Sequence, residues 1–202
     1  MDRKQHWENV YATKRVTEVS WFEAEPRVSL ELIERASPAH GSVIDVGGGA
    51  SLLVDRLLDR GFKKIAVLDI SAAALEHARA RLGARAEKVQ WITGDVTSLE
   101  DVGTFDVWHD RAVFHFLTDA EDRRKYVALA RRSVKPGGHL IVGTFAVDGP
   151  PMCSGLDVCR YDAEHLAREL GPDFQLVHQL AHSHTTPWGK PQAFVFGLFR
   201  RV

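Results

Sequence analysis

Between residues 28 and 142, apolar positions alternate between a helical period and short continuous runs. Val28 to Ala36 has the one-sided spacing of an amphipathic helix, and Ser42-Val43-Ile44-Asp45-Val46 follows as a short apolar run. The succession then repeats. Residues 51–60 predict a helix with Leu52, Leu53, Leu57 and Leu58 inward and Gly61 as its stop, and Lys64 to Asp69 predicts a strand. Ser71 caps an alanine-rich helix ending at Gly83, after which Lys88 to Ile92 and Phe105 to Trp108 predict two more strands. Thr118-Asp119-Ala120-Glu121 has the form of a capping box opening a helix through Ser133. Lys135-Pro136-Gly137-Gly138 predicts a turn into the strand His139 to Val142. Such alternation implies an α/β fold, a doubly wound parallel sheet with helices on both faces. Beyond residue 145 the pattern changes to a short helix, 163–170, and two strand-like segments, 174–181 and 192–200, which predict a closing antiparallel pair.

Composition narrows the class. The chain has 202 residues, with 45% hydrophobic and 26% charged positions, which is globular composition and suits a single domain. We divide it into an aromatic leader (1–25), a core (40–145) and a closing segment (146–202). Lysine plus arginine (26) nearly balances aspartate plus glutamate (27), so no basic field points to nucleic acid or membrane. Two cysteines, Cys153 and Cys159, make no disulfide framework. The start, Met1 to His6, has no apolar run behind it, so we expect no signal peptide, no membrane span and a cytoplasmic location. Composition alone leaves enzyme and binding module open.

Three signals converge at the strand ends where such sheets bind ligands. Asp45-Val46-Gly47-Gly48-Gly49-Ala50-Ser51 joins the first strand to a helix. A dinucleotide fingerprint would need its last glycine at Leu52, and no G-K-[ST] follows, so both phosphate-cradling readings fail. Asp69 ends the second strand, where a carboxylate can accept both hydroxyls of a ribose, and Ile70 follows it. Asp95 and Val96, after the third strand, suit a purine amino group and a purine ring.

Acids without phosphate apparatus suit a cationic nucleoside. With Lys135 to Leu140, these motifs resemble the class I S-adenosylmethionine-dependent methyltransferases, closely over about residues 40–145; Ser51 stands for that family's usual third loop glycine. The resemblance implies a Rossmann-like seven-stranded sheet in the order 3-2-1-4-5-7-6 with the last strand antiparallel. It implies S-adenosyl-L-methionine as methyl donor and S-adenosyl-L-homocysteine as product. Trp7 and Tyr11, four apart, share a helix face, either as packing or as a cover that closes over the cofactor. Such a leader, with Asp110-Arg111 after the fourth strand, resembles the thiopurine S-methyltransferases and the elongation factor lysine methyltransferases. The resemblance gives Arg111 the cofactor's carboxylate, a pairing that bidentate chemistry favours.

His109 and Asp110 are candidates for proton acceptor and its orienter. Alternatively, Asp110 only fixes Arg111 and His109 only packs. His115, Cys153, His182, His184 and Trp188, with Cys159 and Tyr161, are candidates for the acceptor wall. The C-x5-C and H-x-H spacings match no common metal site, so no metal is expected. The expected activity is S-adenosylmethionine-dependent methylation of a small molecule, a thiol or sulfide foremost. Protein lysine N-methylation and cofactor binding without catalysis are the alternatives.

Overall fold

The computed structural model describes residues 2–37 and 39–202, so the first residue of the leader lies outside it. The leader forms helix α1, Arg3–Thr13, capped by the Asp2 carboxylate, and a short 3-10 turn at Val16–Glu18. The alternating unit follows as α2 (Arg27–Ala36), β1 (Val43–Val46), α3 (Leu53–Asp59), β2 (Ile65–Asp69), α4 (Ala72–Leu82), β3 (Val89–Thr93) and β4 (Phe105–Arg111). Then come α5 (Ala120–Ser133), β5 (Val134–Phe145), the two-residue strands β6 (Met152–Cys153) and β7 (Leu156–Asp157), α6 (Ala163–Leu170), β8 (Phe174–Thr185) and β9 (Pro191–Arg201).

Seven strands make one sheet, β3-β2-β1-β4-β5-β9-β8, with β1 to β5 mutually parallel and β9 antiparallel to both neighbours. With the separate β6–β7 hairpin set aside, this is the expected order. Strand alternation divides the core between the two faces. Ile44, Val46, Leu68, Trp108 and Leu140 pack with Tyr126 and Leu129 of α5 and Leu166 of α6. Val43, Val67, Val107 and Ile141 pack with α2 and α3 through Leu30, Ile33, Leu53 and Leu57.

Several local expectations need correction. Helix α5 is capped by Asp119, whose carboxylate accepts from Glu121 N–H at 2.7 Å, and not by Thr118. Lys135 to Gly138 is no free turn but part of β5, whose register against β4 shifts between Phe105 and Val107. Helix α3 starts at Leu53, two residues later than the leucine spacing implied, because residues 47–51 remain in the glycine loop. The β6–β7 hairpin, turned by Ser154 and Gly155, had no signal in the apolar pattern.

Candidate active site

The glycine loop exists because two positions reject a side chain. Gly47 has φ +68°, and a Cβ there would run into a Val113 methyl; its N–H donates to Leu68 O at 2.7 Å. Gly49 has φ +44°, and a Cβ there would stand 2.8 Å from Asp69 Oδ2 and 3.0 Å from the Tyr11 hydroxyl. The loop, the ribose-type acid and the leader tyrosine therefore meet at one point.

A cavity of about 110 Å³ opens beside that point. Gly47, Asp69, Ile70, Asp95, Val96 and Arg111 line it from the strand ends, and Trp7, Tyr11 and Trp21 line it from the leader. Trp7 stands edge-on to Trp21 and Phe116, with ring centroids 5.6 and 5.1 Å apart, the arrangement favoured by aromatic quadrupoles. Phe145, Phe194 and Cys153 complete the far wall. A smaller cavity of about 50 Å³ shares Tyr11, Trp21, Gly47 and Arg111 with the first and adds Asp45, His109 and Glu23.

Asp69 is 6% exposed; its Oδ1 accepts from Ser71 N–H at 2.8 Å. Burial, with the nearby charges of Asp45 and Glu8, pushes its carboxyl up to about 7. Asp95 Oδ1 takes the Thr97 N–H and hydroxyl, and Oδ2 lies 3.8 Å from Arg3. Arg111 lies mostly covered beneath the leader: Nη1 donates to Trp21 O at 2.9 Å, and Nη2 lies 3.1 Å from Glu23 Oε1. Its guanidinium also sits 5.0 Å from the Phe194 ring centroid. The buried Nε and Nη2 hydrogens nevertheless find no hydrogen-bond acceptor. That edge keeps unspent hydrogen-bonding capacity of the kind a carboxylate takes up, although Nη2 is already ion-paired with Glu23.

His109 and Asp110 do not form the pair that their adjacency suggests. Successive strand residues face opposite sides of a sheet. His109 turns to the α2–α3 side and donates from Nδ1 to Asp45 Oδ1 at 2.7 Å, leaving Nε2 unpartnered. Asp110 turns to α5, accepting from Val113 N–H, Phe114 N–H and the Tyr126 hydroxyl at 2.8, 3.1 and 2.7 Å, and lines neither cavity. Burial raises its carboxyl to about 6.

Among the acceptor-wall candidates, only Cys153 reaches the larger cavity, and burial pushes its thiol up to about 11. His115 lies behind Phe116 with Nδ1 accepting from Phe145 N–H at 3.3 Å; burial and Arg111 lower it to about 3, so it is neutral. Tyr161 is buried in the core, Cys159 packs at its margin, and Trp188 is 55% exposed between β8 and β9. His182 and His184 gather around leader residue Glu23, 3.9 and 3.3 Å from its Oε1. The reading of residue types missed Arg3, Glu23, Phe145 and Phe194. Glu23 carries no motif.

Glycine loop, ribose-type acid and second acid at successive strand ends of this sheet are the arrangement of the class I S-adenosylmethionine-dependent methyltransferases, which the chain resembles. Residues 43–138 match the family described as "Methyltransferase domain", and S-adenosylmethionine is the methyl donor of this class. The ubiquinone/menaquinone biosynthesis C-methyltransferase UbiE of Paracoccus denitrificans (strain Pd 1222) is 30% identical over 130 residues, covering 62% of this chain and 51% of that protein. EEF1A lysine methyltransferase 2 of Danio rerio is 24% identical over 194 residues, covering 88% of this chain and 77% of that one. The chain spans about half the length of the first curated relatives it matches. Among solved structures, N-methyltransferase NodS from Bradyrhizobium japonicum WM9, in complex with S-adenosyl-L-homocysteine, has a TM-score of 0.74 at 16% identity, covering 99% of each chain.

The site's unmet groups fit that cofactor. Asp69 Oδ2 stands at the glycine loop for ribose hydroxyls, Ile70 and Val96 offer apolar surface for a purine, and the Arg111 fork offers two donors to an amino-acid carboxylate.

Proposed function

We propose that this chain methylates a small apolar acceptor, a thiol or sulfide foremost, with S-adenosylmethionine as donor. The observation that carries the reading is the character of the larger cavity's far wall. Trp7, Trp21, Phe116, Phe145 and Phe194 surround its acceptor half, and no histidine is among its described lining residues. Bound S-adenosylmethionine supplies a methyl group on a sulfonium, which is itself the leaving group.

The residues here bind, orient and exclude water. Asp69 accepts the ribose hydroxyls, Asp95 and Val96 take the purine, and Arg111 takes the carboxylate. The leader's aromatic rings cover the cavity. An apolar wall without a poised base favours an acceptor that is nucleophilic without one, which a thiol is near neutral pH. His109 faces the smaller cavity, so we assign it to orientation there rather than to proton abstraction. The balanced charge and the two free cysteines fit a small-molecule enzyme of the reducing cytoplasm with no nucleic-acid or membrane partner. No helix among the described residues is long and apolar enough to cross a membrane.

Protein lysine methylation is the second reading, supported by the 194-residue alignment with EEF1A lysine methyltransferase 2. Turnover on hydrosulfide, small thiols, phenols, amines and a lysate protein fraction separates the two. Methylated thiols among the small products are expected; methylated protein bands with no small-molecule product overturn the first reading.

A further inference from the structure

The least explained part of the site is a charge cluster beneath the leader. Glu23 is partly buried at the end of the leader, and three cationic or titratable side chains from two strands converge on its Oε1. Arg111 Nη2 of β4 lies at 3.1 Å, and His184 Nδ1 and His182 Nε2 of β8 lie at 3.3 and 3.9 Å. His184 Nε2 also donates to Ser20 O at 2.7 Å, and Arg111 Nη1 donates to Trp21 O. The backbone of residues 20–21 and the Glu23 carboxylate are thus tied to the sheet from both sides. Burial alone would raise the Glu23 carboxyl, but the His184 contact and Arg111 outweigh it and hold it below its usual range.

The ion pair between Glu23 and Arg111 leaves something over. Although Nη2 is within 3.1 Å of the carboxylate, its hydrogens, like that of Nε, are not aimed at an acceptor. Glu23 therefore neutralises the guanidinium and holds it in place while the Nε and Nη2 hydrogens stay without an acceptor among the described residues. An arginine buried alone would carry a large desolvation cost and would collapse onto the nearest carbonyl.

We propose that Glu23 is a positioning residue for the amino-acid end of the cofactor: it holds Arg111, which lines the cavity, with its Nε and Nη2 hydrogens unspent, so that the guanidinium can take a carboxylate. His184, and more distantly His182, keep Glu23 in place. This rests on the cofactor assignment above and deepens it. It predicts that Glu23 acts on one half of the cofactor only, because no adenosine-side contact passes through it.

The test compares two ligands on the full chain by isothermal titration. S-Adenosylhomocysteine carries the amino-acid end, and 5′-deoxy-5′-methylthioadenosine keeps the adenosine but lacks it. Glu23→Gln should weaken S-adenosylhomocysteine about tenfold or more, roughly the effect of one charge-assisted hydrogen bond, and leave methylthioadenosine unchanged. Glu23→Asp, which keeps the charge on a shorter stem, should show a smaller loss with the same selectivity and serves if Glu23→Gln does not fold. Equal losses for both ligands would make Glu23 a structural tie of the leader, and no loss for either would remove its role; both overturn the proposal. If the unaltered chain binds neither ligand, the cofactor assignment itself falls, which is a distinct result.

Discussion

Asp69 carries an unusual combination at the level of single residues. It is a carboxylate buried beside the cavity, where removal from water, with the charges of Asp45 and Glu8, outweighs its backbone donors and raises its folded pKa to about 7. The unfolded group titrates near 3.9. Between about pH 4 and 7 the folded chain therefore holds a proton that the unfolded chain has released, and this group's contribution to stability falls as pH rises through that window. Binding runs the other way, because ribose hydroxyls donate to the ionised form. Affinity for S-adenosylhomocysteine should rise between about pH 6 and pH 8 as Asp69 ionises. Asp69→Asn should flatten that profile and weaken binding by roughly 1–3 kcal/mol. Calorimetry across the range reads both effects, and an unchanged slope in the variant would remove the ribose role.

Residues also show where the sequence was readable. Asp45, Asp69 and Asp95 were legible because position on a strand, not packing, decides where they end. The partner of His109 was not legible. Asp45 is 64 residues away in the chain and becomes its neighbour only through the β1–β4 register, Asp45 opposite His109. Asp110 was misjudged for the same reason, since adjacency along a strand means opposite faces across the sheet.

Among the elements, α1 is the one whose position has least support from propensity. It has no well-defined apolar face over its length, and only Val10 and Tyr11 are buried. Its placement comes instead from side chains at particular points. Glu8 accepts from the backbone N–H groups of Ala72 and Ala73 at 2.8 and 3.2 Å and from the Ser71 hydroxyl at 2.9 Å. It thereby adds an anion at the N-terminus of α4, where the helix dipole favours one. His77 of α4 donates to Tyr11 O at 3.1 Å, and Arg3 pairs with Asp122 of α5. Glu8→Ala should cost about 0.5–2 kcal/mol, the usual worth of a capping side chain. Because Trp7 and Tyr11 ride on the same helix, it should also weaken cofactor binding and speed proteolysis within the leader. Thermal unfolding and limited proteolysis, each with and without S-adenosylhomocysteine, check this; identical cleavage rates would contradict it.

Helix α6 was predicted to the residue and β9 to within one residue at each end, whereas β8 runs four residues beyond its expected end at Ala181. The β6–β7 hairpin escaped because two-residue strands are too short to show alternation, although it carries Cys153 to the cavity wall.

At the level of the whole molecule, the near-neutral charge conceals a segregated arrangement. Asp69, Asp95 and Arg111 stand at strand ends, whereas Trp7, Trp21, Phe116, Phe145 and Phe194 supply aromatic surface, so one cavity offers both polar and apolar walls. The α/β class and the antiparallel closing pair followed from the apolar pattern, and the strand order from the family resemblance. The leader's docking did not, because tertiary contacts between residues far apart in sequence, such as Glu23 with His184, leave no periodic trace.

The central claim is that this arrangement binds S-adenosylmethionine through Asp69 and Arg111 in order to transfer its methyl group. Titration of the unaltered chain with S-adenosylhomocysteine, alongside Asp69→Ala, tests it most directly. The account predicts saturable one-site binding in the unaltered chain and a loss of roughly 1–3 kcal/mol in the variant. Absence of binding, or equal binding by the two chains, would contradict it.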